Sequence, residues 1–185
     1  MLIKFKRILK VLLPNFVLKI YTNFLLNIKR NKFSPIVSAQ CNFNILNRNA
    51  IDNFFPTCNK YEISVLAYGV LARGILGGAY GKNITIKDDS RAKISQSIKS
   101  DLTPEILEVV TNLKYKATKH GTSLPSLSIS WALRYSALAS AIIGIKNVKH
   151  LETVVEAANA KINTSLFNDL NVLLAFYKNR DFKIL

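Results

Sequence analysis

The chain has 185 residues, 49% of them hydrophobic, with 26 Lys and Arg against 11 Asp and Glu and a formal net charge of +15. That length buries one ordinary core, so one globular unit is the expectation, and the hydrophobic share excludes a disordered chain. Two cysteines, Cys41 and Cys58, make no disulfide framework, and with two histidines, His120 and His150, they show no metal-ligand spacing; the composition predicts no metal site and a reduced, cytoplasmic setting.

Residues 1–33 differ from everything after them. They carry eight cations and no acid; the first acidic residue is Asp52 and the first glycine Gly69. Lysines cut the apolar runs short of the roughly 18–20 residues that a membrane span needs. Lys10 and Pro14 interrupt what would be a signal-peptide core, and no small-x-small cleavage site follows. A basic amphipathic helix lying on a membrane surface is one alternative, with Pro14 against a continuous helix. The charge is interleaved with Leu, Ile and Phe rather than clustered on a motif, which argues against nucleic acid. The preferred reading is helices covering a core.

"SPIVSAQCNF" (34–43) reads as a short strand ending near Gln40, and "NRNAIDNFFPTCNKY" (47–61) as a helix stopped by Pro56. "EISVLAYG" (62–69) is nearly continuously apolar, as a strand buried on both faces is. It runs into the glycine-rich "VLAYGVLARGILGGAYG" (65–81), and residues 82–101 then read as a long surface loop. Thr103 and Pro104 open a helix that buries Ile106, Val109, Val110, Leu113 and Ala117 and closes at Gly121. A second helix over 125–136 buries Leu127, Trp131 and Tyr135. "SAIIG" (140–144) is a third strand, followed by helices over 147–160 and 165–178.

Strands alternating with helices predict parallel β/α units whose carboxyl ends open onto one face, where such sheets bind ligands. Just past the three strands lie Gln40, then Tyr68–Gly69 with Arg73–Gly74, then Gly144-Ile145-Lys146-Asn147. Arg73 and Lys146 are cationic, the glycines let backbone N–H groups approach a ligand, and the helix at Asn147 adds the positive end of its dipole. Together these suit a phosphate or nucleotide. Each residue alone also has a plain structural reading, and the glycines do not form a G-x-G-x-x-G fingerprint.

These segments resemble the aldo/keto reductase family. "PIVSAQCNFNILNR" (35–48) is similar to that family's sixth-strand segment, with a glutamine, an aromatic-Asn pair and a later Arg. "ISVLAYGVLARGILGG" (63–78) resembles the seventh strand and its loop, "GTSLPSLSISWALRY" (121–135) the helix that follows, and "AIIGIKNVKHLETVVEA" (141–157) the eighth strand and its tail. The resemblance covers about residues 31 to 178. It implies an α/β fold, a partial TIM (β/α)8 barrel with about three parallel strands and covering helices, behind a divergent helical N-terminal segment. Residues 34–185 would be the C-terminal half of that barrel, and residues 1–33 are expected not to be homologous to it.

The resemblance also implies a nicotinamide cofactor, NADP(H), and a small carbonyl substrate. By matching position, Gln40 would meet the nicotinamide carboxamide and Tyr68 would stack on its ring. Gly69, Leu71, Arg73 and Gly74 would cradle the pyrophosphate, and Gly144, Lys146, Asn147 and His150 would lie along the adenosine ribose and its 2′-phosphate. Gly69-Val70 stands where the family often has Ser-Pro, and Thr153-Val154 where it usually has Glu-Asn on adenine. The family's catalytic Asp, Tyr, Lys and His are assigned to no residue here. The expectation is therefore a truncated reductase, inactive alone. The alternatives are a non-catalytic remnant or partner-dependent half-barrel, self-associating through strand edges near Gln40 and Ser140, and a membrane-surface protein acting through residues 1–33.

Overall fold

A computed structural model describes residues 36–78, 80, 95–160 and 164–177. The readings of residues 1–33 and of the stretch 82–94 lie outside the described residues. Three strands form one parallel sheet in the order β1 (Ser38–Asn42), β2 (Ser64–Tyr68), β3 (Leu138–Ala141). Gln40 lies opposite Leu66 and Asn42 opposite Tyr68. Leu66 lies opposite Ser140, after an irregularity between Val65 and Leu66.

Side-chain alternation splits the sheet into two faces. Ala39, Val65 and Ala67 are buried, while Gln40, Asn42, Leu66 and Tyr68 on the other face are half-buried. Beneath the buried face, Phe43 packs between Phe55, Trp131 and Tyr135 at ring-centroid distances of 4.8, 5.2 and 5.1 Å. That cluster joins the end of β1 to two helices, α1 (Phe54–Lys60) and α4 (Leu124–Leu133).

Between them in the chain come α2 (Gln96–Asp101) and α3 (Pro104–Lys119). The Thr103 hydroxyl accepts the Ile106 N–H and Pro104 occupies the first turn, so α3 starts where its local sequence says it should. Its five expected apolar residues are all buried. Ser123 caps α4 in the same way, accepting from the Ser126 N–H. Because α4 is buried almost all round, its serines need internal partners: Ser128 Oγ donates to the Leu124 carbonyl at 2.8 Å. Ser130 Oγ donates to the Ala157 carbonyl at 3.0 Å, tying α4 to α5 (Val148–Asn159). The last helix, α6 (Thr164–Phe176), meets α3, where Asp169 lies 3.5 Å from Lys116 and 3.7 Å from His120.

The helix expected over 47–61 starts only at Phe54 and that over 125–136 ends at Leu133, and four further differences each have a local reason. β1 runs on to Asn42, because two more backbone pairs with β2 extend it, so Gln40 is mid-strand. Pro56 lies inside the first turn of α1, where a missing N–H is no loss, and so does not end the helix. Residues 96–101 form a short helix instead of loop. The third strand is 138–141, earlier than 140–144; just beyond Ala141 the Ile142 N–H still bonds to β2, at the Ala67 carbonyl, 2.7 Å. No helix among the described residues is long and apolar enough to cross a membrane.

Candidate functional site

The site is built at the carboxyl ends of the three strands. Tyr68, half-buried, is the last residue of β2 and sits level with Asn42 of β1. Gln40 is on the same face as Tyr68, one pleat further back. Past Tyr68 the chain turns at Gly69, whose φ of +67° is a left-handed conformation that disfavours a side chain. A Cβ there would also lie 2.7 Å from Asn42 Oδ1, so that side chain would have to move to admit one.

The following loop stays left-handed for three residues, with φ of +45° at Ala72, +56° at Arg73 and +104° at Gly74. Two non-glycine residues in that region store about 1 kcal/mol or more each, and such strain tends to gather at ligand-binding loops. The loop also engages its own amides. The Ala72 N–H donates to Gly69 O at 2.8 Å and the Gly74 N–H to Leu71 O at 2.9 Å. Leu71 is half-buried against the core. Arg73 directs its guanidinium to the buried carboxylate of Asp101, at the end of α2. The cation expected to face a ligand thus already has an acidic neighbour.

From β3 the chain passes Gly144 and Lys146, both exposed, to Asn147. The Asn147 side chain accepts the His150 N–H at 3.0 Å and caps α5, so its amide serves the helix, and His150 itself is exposed in the first turn. The first turn of α5 presents the positive end of a 12-residue helix beside Lys146 and Lys149. At the position where an adenine contact was expected, Val154 is apolar and half-buried, and Thr153 Oγ1 donates to Lys149 O at 3.0 Å.

The structure therefore places Tyr68 and Gly69 at the carboxyl end of β2, with Gln40 mid-strand on the same face of the neighbouring β1. Leu71, Arg73 and Gly74 continue in the loop after β2, and Gly144, Lys146, Asn147 and His150 follow β3 at the start of α5. It adds three residues that the sequence reading did not single out as site residues. Asn42 crowds Gly69, Asn44 bonds to the Gly69 carbonyl at 2.9 Å, and Asp101 pairs with Arg73. The two asparagines flanking Phe43 at a strand end were the available signal for the first two. Asp101 had none, being 28 residues from Arg73.

Two further groups lie away from this end. A depression lined by Cys58, Asn59, Glu62, Ser64, Ser136 and Ala137 lies at the opposite, amino ends of β2 and β3. Cys41 in β1 is held protonated, its thiol pushed up to about 12 by burial and by Cys58. Arg48 is lowered from its ordinary value by burial, against opposing contributions from Tyr135 and Asp52, and donates to Leu174 O at 3.2 Å. Among the described residues no group of three His, Cys, Asp or Glu side chains is placed to hold a metal ion.

The family model for the aldo/keto reductases matches residues 15–175, starting inside the segment 1–33. Aldo-keto reductase YhdN of Bacillus subtilis is 25% identical over 142 residues, 76% of this chain and 43% of that protein. Aldo-keto reductase str7 of Strobilurus tenacellus is 29% identical over 106 residues, 57% of this chain and 32% of that protein. L-glyceraldehyde 3-phosphate reductase of Escherichia coli O157:H7 is 30% identical over 132 residues, 68% of this chain and 37% of that protein. The chain spans less than half the length of these relatives.

Proposed function

This chain belongs to the aldo/keto reductase family, and from that premise we propose that residues 34–185 form the cofactor-binding part of an NADP(H)-dependent carbonyl reductase, arranged as part of a (β/α)8 barrel. One observation carries the reading. Three neighbouring parallel strands deliver Tyr68, the glycine loop and the start of α5 to the same end of the sheet, where β/α folds bind their ligands.

In this reading Gln40 holds the nicotinamide carboxamide and Tyr68 stacks against the ring. Gly69, Leu71, Arg73 and Gly74 shape the pyrophosphate cradle. Gly144, Lys146, Asn147 and His150 follow the ribose and the 2′-phosphate. The phosphate portion of this reading is supported by the capped start of α5, which adds its dipole beside Lys146 and Lys149. The adenine end departs from the family pattern, because Val154 has no amide to offer.

When bound, the cofactor supplies a hydride to the carbonyl carbon. The residues of this chain bind and orient; none is assigned to donate a proton to the developing alkoxide, and a general acid must lie within hydrogen-bond reach. We therefore propose binding without turnover for the 185-residue chain, in a cytoplasmic setting that suits two cysteines outside any disulfide. Isothermal titration with NADP+ and an NADPH-oxidation assay with a simple aldehyde test both parts. Absence of NADP+ binding refutes the site, and turnover refutes the missing donor.

A second reading, partner dependence, has its own support. Ile142, Ile145, Val148, Leu151 and Val155 are 44–71% exposed along the side of β3 and α5. An apolar surface beside a strand edge invites pairing with another chain. Sedimentation velocity should find self-association that weakens in a Val148→Glu, Val155→Glu variant. A monomer at every concentration would end this reading.

A further inference from the structure

We infer that Asn44 is the positioning residue of the loop after β2: its side-chain amide fixes the Gly69 carbonyl and, through it, the path of residues 69–74. The side chain is wholly buried and every one of its hydrogen-bonding positions is occupied. Oδ1 accepts the N–H groups of Leu46 and Asn47, both at 2.9 Å, and so pins the turn that follows β1. Nδ2 donates to Gly69 O at 2.9 Å, 25 residues away, and to Asn42 Oδ1 at 3.3 Å. The orientation of the amide is fixed by these neighbours, since the flipped form would set NH2 against two N–H donors and oxygen against two oxygens.

The contact is directional in its consequences. Gly69 O also accepts the Ala72 N–H, the bond that opens the left-handed stretch 72–74. A displaced Gly69 carbonyl therefore changes the geometry of the strained residues downstream of it. Meanwhile Asn42 Oδ1, the second acceptor of Asn44, is the atom nearest to where a Cβ on Gly69 would stand. One amide thus sets both the hydrogen bond and the steric wall around the glycine. No other side chain substitutes: Asp has no donor when ionised, Ser is too short to reach both sides, and Gln sets its amide one methylene too far. That this positioning governs ligand affinity rests on the cofactor reading above; the positioning itself does not.

The test is Asn44→Asp in the full chain, followed by amide hydrogen exchange with mass spectrometry. The carboxylate keeps the acceptor for Leu46 and Asn47 and loses both donors to Gly69 and Asn42. Exchange in peptides covering 69–78 should accelerate about tenfold or more, with 104–119 unchanged. An unchanged rate in 69–78 overturns the inference. Should the variant fail to fold, the wild-type protein decides by NMR. A scalar coupling from Asn44 Nδ2 to the Gly69 carbonyl carbon is expected, and its absence overturns the inference. NADP+ titration supplies the functional arm, with about tenfold weaker binding expected in Asn44→Asp. Equal affinity in both proteins overturns the link to binding, whereas a wild type that does not bind NADP+ refutes the cofactor reading and leaves the exchange result to decide the positioning.

Discussion

Replacing Gly69 with alanine separates the two reasons for a glycine at the end of β2. An L-residue held at φ +67° costs about 1 kcal/mol relative to glycine. The added methyl would also stand 2.7 Å from Asn42 Oδ1, which must swing away. That movement breaks the 3.3 Å contact from Asn44 Nδ2, a loss of about 1 kcal/mol including the unpaired donor. Gly69→Ala should therefore destabilise the fold by about 2 kcal/mol, read as a lower urea midpoint with an unchanged slope. In the Asn42→Ala, Gly69→Ala double variant the methyl has room, so the two losses should not add; the double variant should fall short of their sum by about 1 kcal/mol. A Gly69→Ala protein within about 0.5 kcal/mol of wild type, or strict additivity in the double variant, would refute the reasoning.

Two other changes probe the layers beneath. Phe43→Ala empties the centre of the ring cluster formed with Phe55, Trp131 and Tyr135, and should cost about 3–5 kcal/mol, enough to abolish a cooperative thermal transition by circular dichroism. Cys41, with its thiol raised from 9.0 to about 12, should hold about a thousandfold less thiolate at pH 8 than in the unfolded chain, so iodoacetamide should label it only after urea is added. The same shift sets a sign for stability. The folded form retains the proton longer, so stability falls as pH rises above about 9 toward 12, and Cys41→Ala should flatten that decline.

How much of this is legible in the amino-acid sequence depends on the range of the interaction. The start and buried face of α3 follow from Thr103, Pro104 and apolar spacing, all local signals, and the structure agrees residue by residue. Pro56 misled because a proline marks a helix start as readily as a stop, and only the chain around it distinguishes the two. The third strand is four residues long and largely exposed, so its pattern says little about where pairing begins. Tyr68 and the glycine loop were legible because an apolar strand fraying into glycine is a local pattern. The partners of Asn44 and Asp101 were not, because each acts on a residue more than 20 positions away; the asparagines around Phe43 mark a strand end but not the meeting with Gly69, and Asp101 carries no signal.

The Arg73–Asp101 pair changes what it means for an anion to arrive at the loop. Asp101 is buried and anchored at the end of α2, so Arg73 comes to any diphosphate with a resident counter-ion. Arrival there is an exchange of one oxyanion for another about the guanidinium, not an addition to a bare charge. The attraction felt from a distance then comes from the rest of this +15 chain and not from the couple, which acts at short range, where a ligand must match or outbid a carboxylate already in contact. Such a loop would owe its selectivity to that exchange.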